Sequence, residues 1–322
     1  MNVAGFRRDI LAEPAALTGL AEAYHAAGSP LDALPDLSGR RILFIGMGSS
    51  KFAADTAVAL LRAHGVDAHA ELASSVQPQP AAADTVAIVV SSSGSSEETV
   101  AALRRHKGTS LVVGVTNRPE RVVGADADVC LPLLAGDEEG GIACKSYQAT
   151  LAVLLLVAGR ILATTVLSRE QLDAAAESQA ELLETRQAWL PPLVELADGG
   201  MGVWVAAPDR RIGSARQSAL MLREAPRIVA DACETGDWLH VDVYLTKRPG
   251  YRMLLLPGSP HDAGVIHWRA ERGFCLVSVG KELDGVSLAV PFRGADDDLV
   301  AMLVETSVSE LLAAELWQRH PI

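Results

Sequence analysis

The feature that most constrains this chain is the regular order of short apolar segments and longer helical ones. The segments 41–45, 85–90 and 111–116 are apolar at nearly every position, and stretches with helical periodicity separate them. Strands that are apolar throughout are buried on both faces by helices, and strand–helix–strand order favours a parallel sheet with right-handed crossovers. The sequence therefore predicts an α/β fold.

The pattern of strands and helices occurs twice. Long helical stretches are predicted over 145–167 and 168–194, and strands resume at 201–206. The predicted strands around Leu43 and Val203 lie 203 − 43 = 160 residues apart, which indicates a duplicated α/β domain. The expected parts are a leader helix within 1–40, a first domain over 41–194, and a second domain over 195–322 with a C-terminal helix.

Composition excludes several classes of protein. The 322 residues include 28 basic and 40 acidic side chains, a net charge of −12, and only 4% are aromatic, which disfavours a nucleic-acid surface. The longest apolar run, 151–159, is far shorter than the ~18–20 residues that span a bilayer, and no secretory signal is visible. Four scattered cysteines form no C-x-x-C pair. We therefore expect a cytoplasmic protein without a membrane segment, disulfide framework, metal or cofactor.

One loop that follows a predicted strand is unusually rich in serine. It reads Ser-Ser-Ser-Gly-Ser-Ser over 91–96, directly before a predicted helix at 96–106. A helix cap by Ser95 or Ser96 would explain two of these serines. Hydroxyl groups and the free N–H groups of a helix N-terminus can together surround a phosphate without lysine or arginine. We interpret this loop as a phosphate site.

Two further loops follow predicted strands in the first half. Gly46 to Lys51 offers glycines for a tight turn, but a dinucleotide-binding loop would have a third glycine where Lys51 stands. A nicotinamide-dependent dehydrogenase is therefore disfavoured. The loop Gly136 to Lys145 carries a glycine pair and acidic residues, and its composition fits a ligand-covering loop and a solvated turn equally well.

These loops, in this order, resemble those of the sugar isomerase (SIS) domain. The matching strings are 46–50, 91–99 and 136–147, and the opening 9–14 resembles the family's leader helix. The double domain is similar to the isomerase half of glucosamine-6-phosphate synthases and to stand-alone 6-phosphofructosamine deglycases. The resemblance implies two tandem three-layer αβα domains with mainly parallel, flavodoxin-like sheets.

The resemblance also implies a substrate and a site. Carried over residue by residue, phosphate would bind to Ser91, Ser92, Ser93 and Ser96, and sugar hydroxyls to Gly48, Ser49 and Ser50. The second half has Gly-Ser-Pro-His over 258–261 at the equivalent position and lacks the serine cluster. One sugar-phosphate site per chain is therefore expected, in the first half.

The catalytic residues implied by the resemblance are Glu224 and His240, which match the family's glutamate and ring-opening histidine in surroundings and in their separation of 240 − 224 = 16 residues. Taken singly, Glu224 could be a surface carboxylate beside Arg223, and His240 a buried, hydrogen-bonded imidazole. A carboxylate can move a proton between C1 and C2 of a sugar, and an imidazole suits ring opening. In the family the histidine comes from the neighbouring subunit, which implies a homodimer with a shared site.

Two departures bear on the activity. The sequence begins at Met1 with the leader helix and no glutaminase domain, so glutamine-driven amination is not expected. The last lysine is Lys281, whereas the synthases carry one near their C-terminus, and His320 stands in the tail instead. The sequence thus predicts a phosphosugar isomerase or deglycase that acts on a hexose 6-phosphate or its amino adduct. The alternative is a non-catalytic sugar-phosphate-binding regulator.

Overall fold

The computed structural model describes residues 1–321 as two compact units. The N-terminal unit comprises Ala15–Asp137 and Lys145–Asp173. The C-terminal unit comprises Met1–Pro14, Glu138–Cys144 and the chain from Ala174 onward. Within the described residues, each unit contains one five-stranded sheet.

The sheet of the N-terminal unit is entirely parallel, with the strand order β2-β1-β3-β4-β5. Its strands are β1 (Arg41–Gly46), β2 (Ala68–Leu72), β3 (Thr85–Val90), β4 (Leu111–Thr116) and β5 (Val129–Pro132). Every residue of the central strand β3 is buried, as its continuous apolar sequence predicts for a strand covered on both faces.

The sheet of the C-terminal unit repeats this topology as β7-β6-β8-β9-β10, again with every neighbouring pair parallel. Its strands are β6 (Val203–Ala207), β7 (Ala230–Glu234), β8 (Arg252–Leu255), β9 (Cys275–Gly280) and β10 (Leu288–Pro291). The shared order is that of flavodoxin-like sheets, so the prediction of two tandem α/β domains is confirmed.

Helices cover the strands of both sheets. Along residues 1–321 they are α1 (Val3–Leu11), α2 (Glu13–His25), α3 (Ser49–Ala63), α4 (Glu97–His106), α5 (Val122–Ala125), α6 (Lys145–Leu162), α7 (Arg169–Glu184), α8 (Arg186–Ala197), α9 (Ile212–Glu224), α10 (Thr235–Trp238), α11 (Asp262–Arg272), α12 (Asp298–Val304) and α13 (Thr306–Arg319). Short 3₁₀ helices lie at Pro30–Ala33, Asp209–Arg211 and Asp242–Lys247. In the N-terminal unit α3 packs against α6, and α4 against α5; in the C-terminal unit α9 packs against α13.

The helix α6 is apolar and long enough to cross a membrane, but 89% of its most apolar window is buried inside the protein. It is therefore a core helix, as its packing against α3 also indicates. It ends at Leu162, earlier than the predicted Leu167, because Ala163 adopts a left-handed conformation with φ = 50° that a helix cannot continue through.

Three predicted helices are each divided in two. The leader helix within 1–40 is α1 followed by α2, and the break falls beside Pro14, which lacks the N–H that a continuous helix needs. The stretch 168–194 is interrupted at Thr185, between α7 and α8. The C-terminal helix is interrupted at Glu305, whose carboxylate forms a buried ion pair with Arg211 at 3.0 Å.

A buried group of polar side chains holds the first residue of α2 within the C-terminal unit. Glu13 and Glu310 are 1% and 0% exposed, and their two carboxyl groups are electrostatically coupled. The amide of Gln179 donates to Glu13 at 2.6 Å, and the hydroxyl of Ser307 donates to it at 3.0 Å. Two buried and coupled carboxyl groups cannot both ionise without a large cost, so this pair retains a proton.

This arrangement predicts a loss of stability at alkaline pH. Burial, followed by repulsion between the two groups and from Glu138, raises the pKa of Glu13 well above its ordinary value. Burial raises the pKa of Glu310 from 4.5 to about 7. A pKa raised by folding means that the stabilisation is complete below the ordinary value and is lost as the pH rises through about 7.

We therefore expect the free energy of unfolding to fall by an amount on the order of 1–3 kcal/mol as the pH rises through this range. Glu310→Gln removes one of the two coupled titrating groups, so this fall should be much smaller. Urea unfolding at a series of pH values measures it, with the exposed Glu184→Gln as control. An identical fall in the wild type and Glu310→Gln would contradict a proton retained by this pair.

Candidate functional site

Four loops leave the carboxyl ends of parallel strands in the N-terminal unit and therefore meet at one edge of its sheet. They follow β1, β3, β4 and β5. Because β3 lies between β1 and β4 in the sheet, the loop after β3 has the other two on either side. The serine-rich segment 91–96, called the serine loop below, is this central loop.

The serine loop makes a tight turn whose centre requires glycine. The Gly94 N–H donates to the carbonyl of Ser91 at 3.0 Å, and Gly94 has φ = 68°. A Cβ atom at Gly94 would lie 2.9 Å from Thr116 Oγ1 and 3.1 Å from the carbonyl oxygen of Arg118. The loop after β4 therefore rests directly on the turn, and a larger residue would separate the two.

The serine hydroxyl groups divide into two kinds. Ser91 is buried and its Oγ accepts the Gly94 N–H at 3.2 Å, while Ser96 Oγ donates to Thr99 Oγ1 at 2.5 Å. Among the described residues, the hydroxyl groups of Ser92 and Ser93 have no hydrogen-bond partner. Ser91 and Ser96 thus shape the loop, and Ser92 and Ser93 have hydroxyl groups available to a ligand.

The predicted cap at the start of α4 is confirmed in position only. Ser96 is the residue that precedes the helix, but its side chain makes no hydrogen bond to a backbone N–H of the first turn. Those N–H groups of a helix remain available to an anion when no side chain caps them. The geometry therefore favours the ligand interpretation of the loop over simple capping.

Three residues that the sequence analysis did not single out support the serine loop. Thr116 Oγ1 donates to the carbonyl of Ser92 at 3.4 Å, and the Asn117 N–H donates to the same carbonyl at 3.2 Å. Arg121 Nη1 donates to Ser95 Oγ at 3.1 Å. The signal for them was available, because polar residues directly after a strand that neighbours the serine-loop strand must lie beside that loop.

The loop after β1 has the close approach that its glycines predict. A Cβ atom at Gly46 would lie 2.9 Å from Ser50 Cβ, so only glycine lets the chain turn from β1 into α3. Gly48 precedes α3 with φ = 50°, and Ser49 and Ser50 form the first turn of this helix. Lys51 forms an ion pair with Asp55 one turn along the helix.

The loop after β5 has one part in each unit. In the N-terminal unit, Asn117 donates to the carbonyl of Gly136, Arg118 pairs with Asp137, and Lys145 donates to the Asp137 carbonyl at 2.7 Å. Lys145 is only 7% exposed, although it is the first residue of α6.

The segment Glu138–Cys144 belongs to the C-terminal unit. The carboxylate of Asp9 accepts the Gly140 N–H at 2.7 Å, and Gln217 donates to the carbonyl of Ala143 at 2.8 Å. Polar backbone groups of this segment are thus hydrogen-bonded to other parts of the C-terminal unit, whereas those of a solvated turn would face water.

Glu224 is the last residue of α9, where the sequence analysis placed it, and it is half-buried. Burial raises the pKa of its carboxyl group above the ordinary value of 4.5. Within residues 1–321 it forms no ion pair and no hydrogen bond, and Arg223 beside it is exposed. A half-buried carboxylate differs from the surface carboxylate beside Arg223 that was considered as an alternative.

His240 lies in the turn after α10 and is exposed. Its backbone N–H donates to the Asp237 carbonyl at 2.9 Å, whereas its imidazole has no partner among the described residues. The alternative of a buried, hydrogen-bonded imidazole is therefore wrong. Val241 and Tyr244, which follow it, are also exposed large side chains, at 57% and 63%.

In the C-terminal unit the loop after the central strand β8 corresponds to the serine loop. A carboxylate of the protein itself accepts hydrogen bonds from the backbone of this loop. Asp262 Oδ2 accepts the N–H groups of Gly258 at 2.6 Å and Ser259 at 3.2 Å. An internal anion thus takes the donors that an external anion would need. His320 pairs with Asp198 at 2.8 Å, and residues 1–321 contain no cluster of ligands suited to a metal ion.

Comparison with known proteins bears on the fold and on the family resemblance. Residues 37–160 match the SIS domain. A glutamine–fructose-6-phosphate aminotransferase (isomerizing) of Chlamydia caviae is 29% identical over 273 residues, which are 77% of this chain and 44% of that protein. The chain spans less than half the length of the curated relatives it matches.

Two solved structures share the architecture along nearly the whole chain. The C-terminal domain of glucosamine-fructose-6-phosphate aminotransferase from Francisella tularensis has a TM-score of 0.83 at 18% identity, covering 97% of this chain and 96% of that one. Tagatose-6-phosphate ketose/aldose isomerase from Escherichia coli has a TM-score of 0.81 at 15% identity, covering 99% and 95%. The resemblance is thus confirmed at this level: residues 37–160 match the SIS domain, and the chain has the fold of these two solved structures.

Proposed function

We propose that this chain is a phosphosugar isomerase or deglycase that acts on a hexose 6-phosphate or on its amino adduct. The observation that carries the proposal is the serine loop. Its Ser92 and Ser93 hydroxyl groups have no hydrogen-bond partner among the described residues, and the side chain of Ser96 does not cap the N-terminus of α4. Such donors suit a phosphate ester. Relatives named for fructose-6-phosphate and tagatose-6-phosphate support the same substrate class.

The proposed chemistry is a proton transfer between C1 and C2 of the open-chain sugar. Glu224 takes a proton from C1 of the ketose while the C2 oxygen gains one, which gives an enediol. Return of the proton to C2 and loss of the O1 proton then give the aldose. With a 1-amino-ketose the same steps pass through an enaminol to an imine, and water cleaves this imine into the amine and the aldose phosphate.

His240 is proposed to open the sugar ring by moving a proton between the anomeric hydroxyl and the ring oxygen. Its exposed imidazole has no partner among the described residues, which suits a side chain that acts in a neighbouring subunit. We therefore propose a cytoplasmic homodimer whose active sites are shared between subunits and need no metal or cofactor. Gly48, Ser49 and Ser50 are proposed to bind the sugar hydroxyl groups.

Removal of the Ser93 hydroxyl should weaken phosphosugar binding. Loss of a hydrogen bond to a charged group costs roughly 1.5–3 kcal/mol, so Ser93→Ala should raise the dissociation constant about tenfold or more. Titration calorimetry with a panel of hexose 6-phosphates measures this, and the same sugars without phosphate should show little difference. Thr109→Ala removes an exposed hydroxyl between α4 and β4 and is the control. Equal affinities of both variants would contradict a phosphate site at the serine loop.

Replacement of the proposed base should abolish turnover and leave binding intact. Glu224→Gln should lower kcat by about 10²–10⁴ on the best phosphosugar, while the exposed Glu271→Gln in α11 should not. Because the base acts as a carboxylate and burial raises its pKa, wild-type activity should fall as the pH drops through a midpoint above 4.5. Full turnover by Glu224→Gln would show that the proton shuttle is wrong.

The shared active site predicts complementation between inactive variants. Glu224→Gln and His240→Asn homodimers should each be inactive, whereas mixed dimers should have one site with both native residues. Co-expression with two affinity tags and purification of the hybrid should therefore restore up to about half of the wild-type activity of a dimer. An inactive hybrid, or a monomer by light scattering, would contradict the shared site.

A further inference from the structure

The guanidinium group of Arg121 lies against the serine loop, and the ligand contacts proposed above do not include it. Arg121 belongs to the loop that leaves β4, just before α5, and Arg121 Nη1 donates to Ser95 Oγ at 3.1 Å. The Ser95 hydroxyl in turn donates to the carbonyl of Ser93 at 3.4 Å. The arginine therefore contacts the same short turn that carries the proposed phosphate donors.

The backbone of Arg121 is fixed on this turn. A Cβ atom at Gly94 would lie 3.1 Å from Arg121 Cβ, and the Val123 N–H donates to the Gly94 carbonyl at 3.0 Å. The Arg121 N–H also donates to the Arg118 carbonyl at 3.0 Å. These contacts hold the arginine beside the loop.

The positive charge of Arg121 is not neutralised by an acidic side chain among the described residues. Arg118, three residues earlier, already pairs with Asp137. Arg121 forms no ion pair among the described residues. Glu97 and Glu98 are exposed in the first turn of α4 and would repel an anion at its N-terminus. A guanidinium group on the loop carries a net positive charge that offsets this repulsion. Hydroxyl and N–H groups are neutral dipoles and do not.

We infer that Arg121 is a binding residue for the phosphate group of the substrate, and this inference rests on the proposed function. The guanidinium has five N–H donors in a fixed fork, and the bond to Ser95 uses one of them. The others are available to the oxygens of a phosphate monoester, for which an arginine fork is well suited. In this arrangement hydroxyl groups and one cation together hold the phosphate ester.

The test compares Arg121→Gln, Arg121→Lys and Arg104→Gln with the wild type by titration calorimetry. The probes are glucose 6-phosphate, fructose 6-phosphate and inorganic phosphate. Arg104 is exposed near the end of α4, so its substitution makes the same change in net charge away from the loop. We expect Arg121→Gln to weaken phosphosugar binding about tenfold or more, Arg121→Lys to weaken it less, and Arg104→Gln to change it by less than twofold.

The dependence of affinity on salt separates a binding role from a structural one. If Arg121 pairs with phosphate, the wild-type affinity should fall as NaCl rises, and this slope should be smaller in Arg121→Gln and preserved in Arg121→Lys. Thermal unfolding of all variants checks that each is folded. If the wild type binds phosphosugars and Arg121→Gln binds them equally well, the inference about Arg121 is overturned and the proposed function stands. If the wild type binds no phosphosugar, the proposed function is overturned as well.

Discussion

The arrangement at the carboxyl edge of the N-terminal sheet depends on the close contact between Gly94 and the loop that leaves β4. Gly94 has no side chain and a positive φ, so Thr116 and the carbonyl of Arg118 occupy the space where a Cβ would lie. This contact fixes the serine loop ahead of α4, brings Asn117 onto the Ser92 carbonyl, and places Arg121 at Ser95. The donors are thus positioned before any ligand arrives, which lowers the cost of binding.

The two units have the same fold but differ in whether the donors of the loop after the central strand are free for an external anion. Both sheets have the same strand order, and both carry a glycine and serine after the corresponding central strand. In the C-terminal unit Asp262 accepts the N–H groups of Gly258 and Ser259, so an internal carboxylate occupies the donors. In the N-terminal unit the hydroxyl groups of Ser92 and Ser93 have no partner in the described chain. The proposal of one phosphate site per chain follows from this difference.

Local patterns in the sequence predicted much of this structure. Continuous apolar runs identified the central strands, and the end of α9 at Glu224 followed from helical periodicity before Pro226. Edge strands were harder: β7 was missed because only its first residue is buried, so its sequence carries no apolar run. Side-chain partners between distant segments, such as Glu13 with Glu310 or Arg121 with Ser95, depend on tertiary contacts that no local pattern contains.

The exposed state of His240 illustrates the same limit. Its neighbours along the chain suggested either a catalytic or a buried imidazole, and only the folded chain shows that it is exposed. Glu224 is half-buried with a raised pKa, in the C-terminal unit, whereas the serine loop belongs to the N-terminal unit. We propose that Glu224 and the serine loop act on the same substrate.

The most direct test of that claim is hydrogen exchange at carbon. Hexose 6-phosphates and their 1-amino-ketose adducts would be incubated with the protein in D₂O and followed by NMR at C1 and C2. We expect enzyme-dependent deuterium incorporation at one of these carbons, even where net conversion is slow, because an enediol or enaminol exchanges its proton with solvent. Tight binding of the phosphosugars without any exchange at C1 or C2 would contradict it and would identify the chain as a non-catalytic sugar-phosphate-binding regulator.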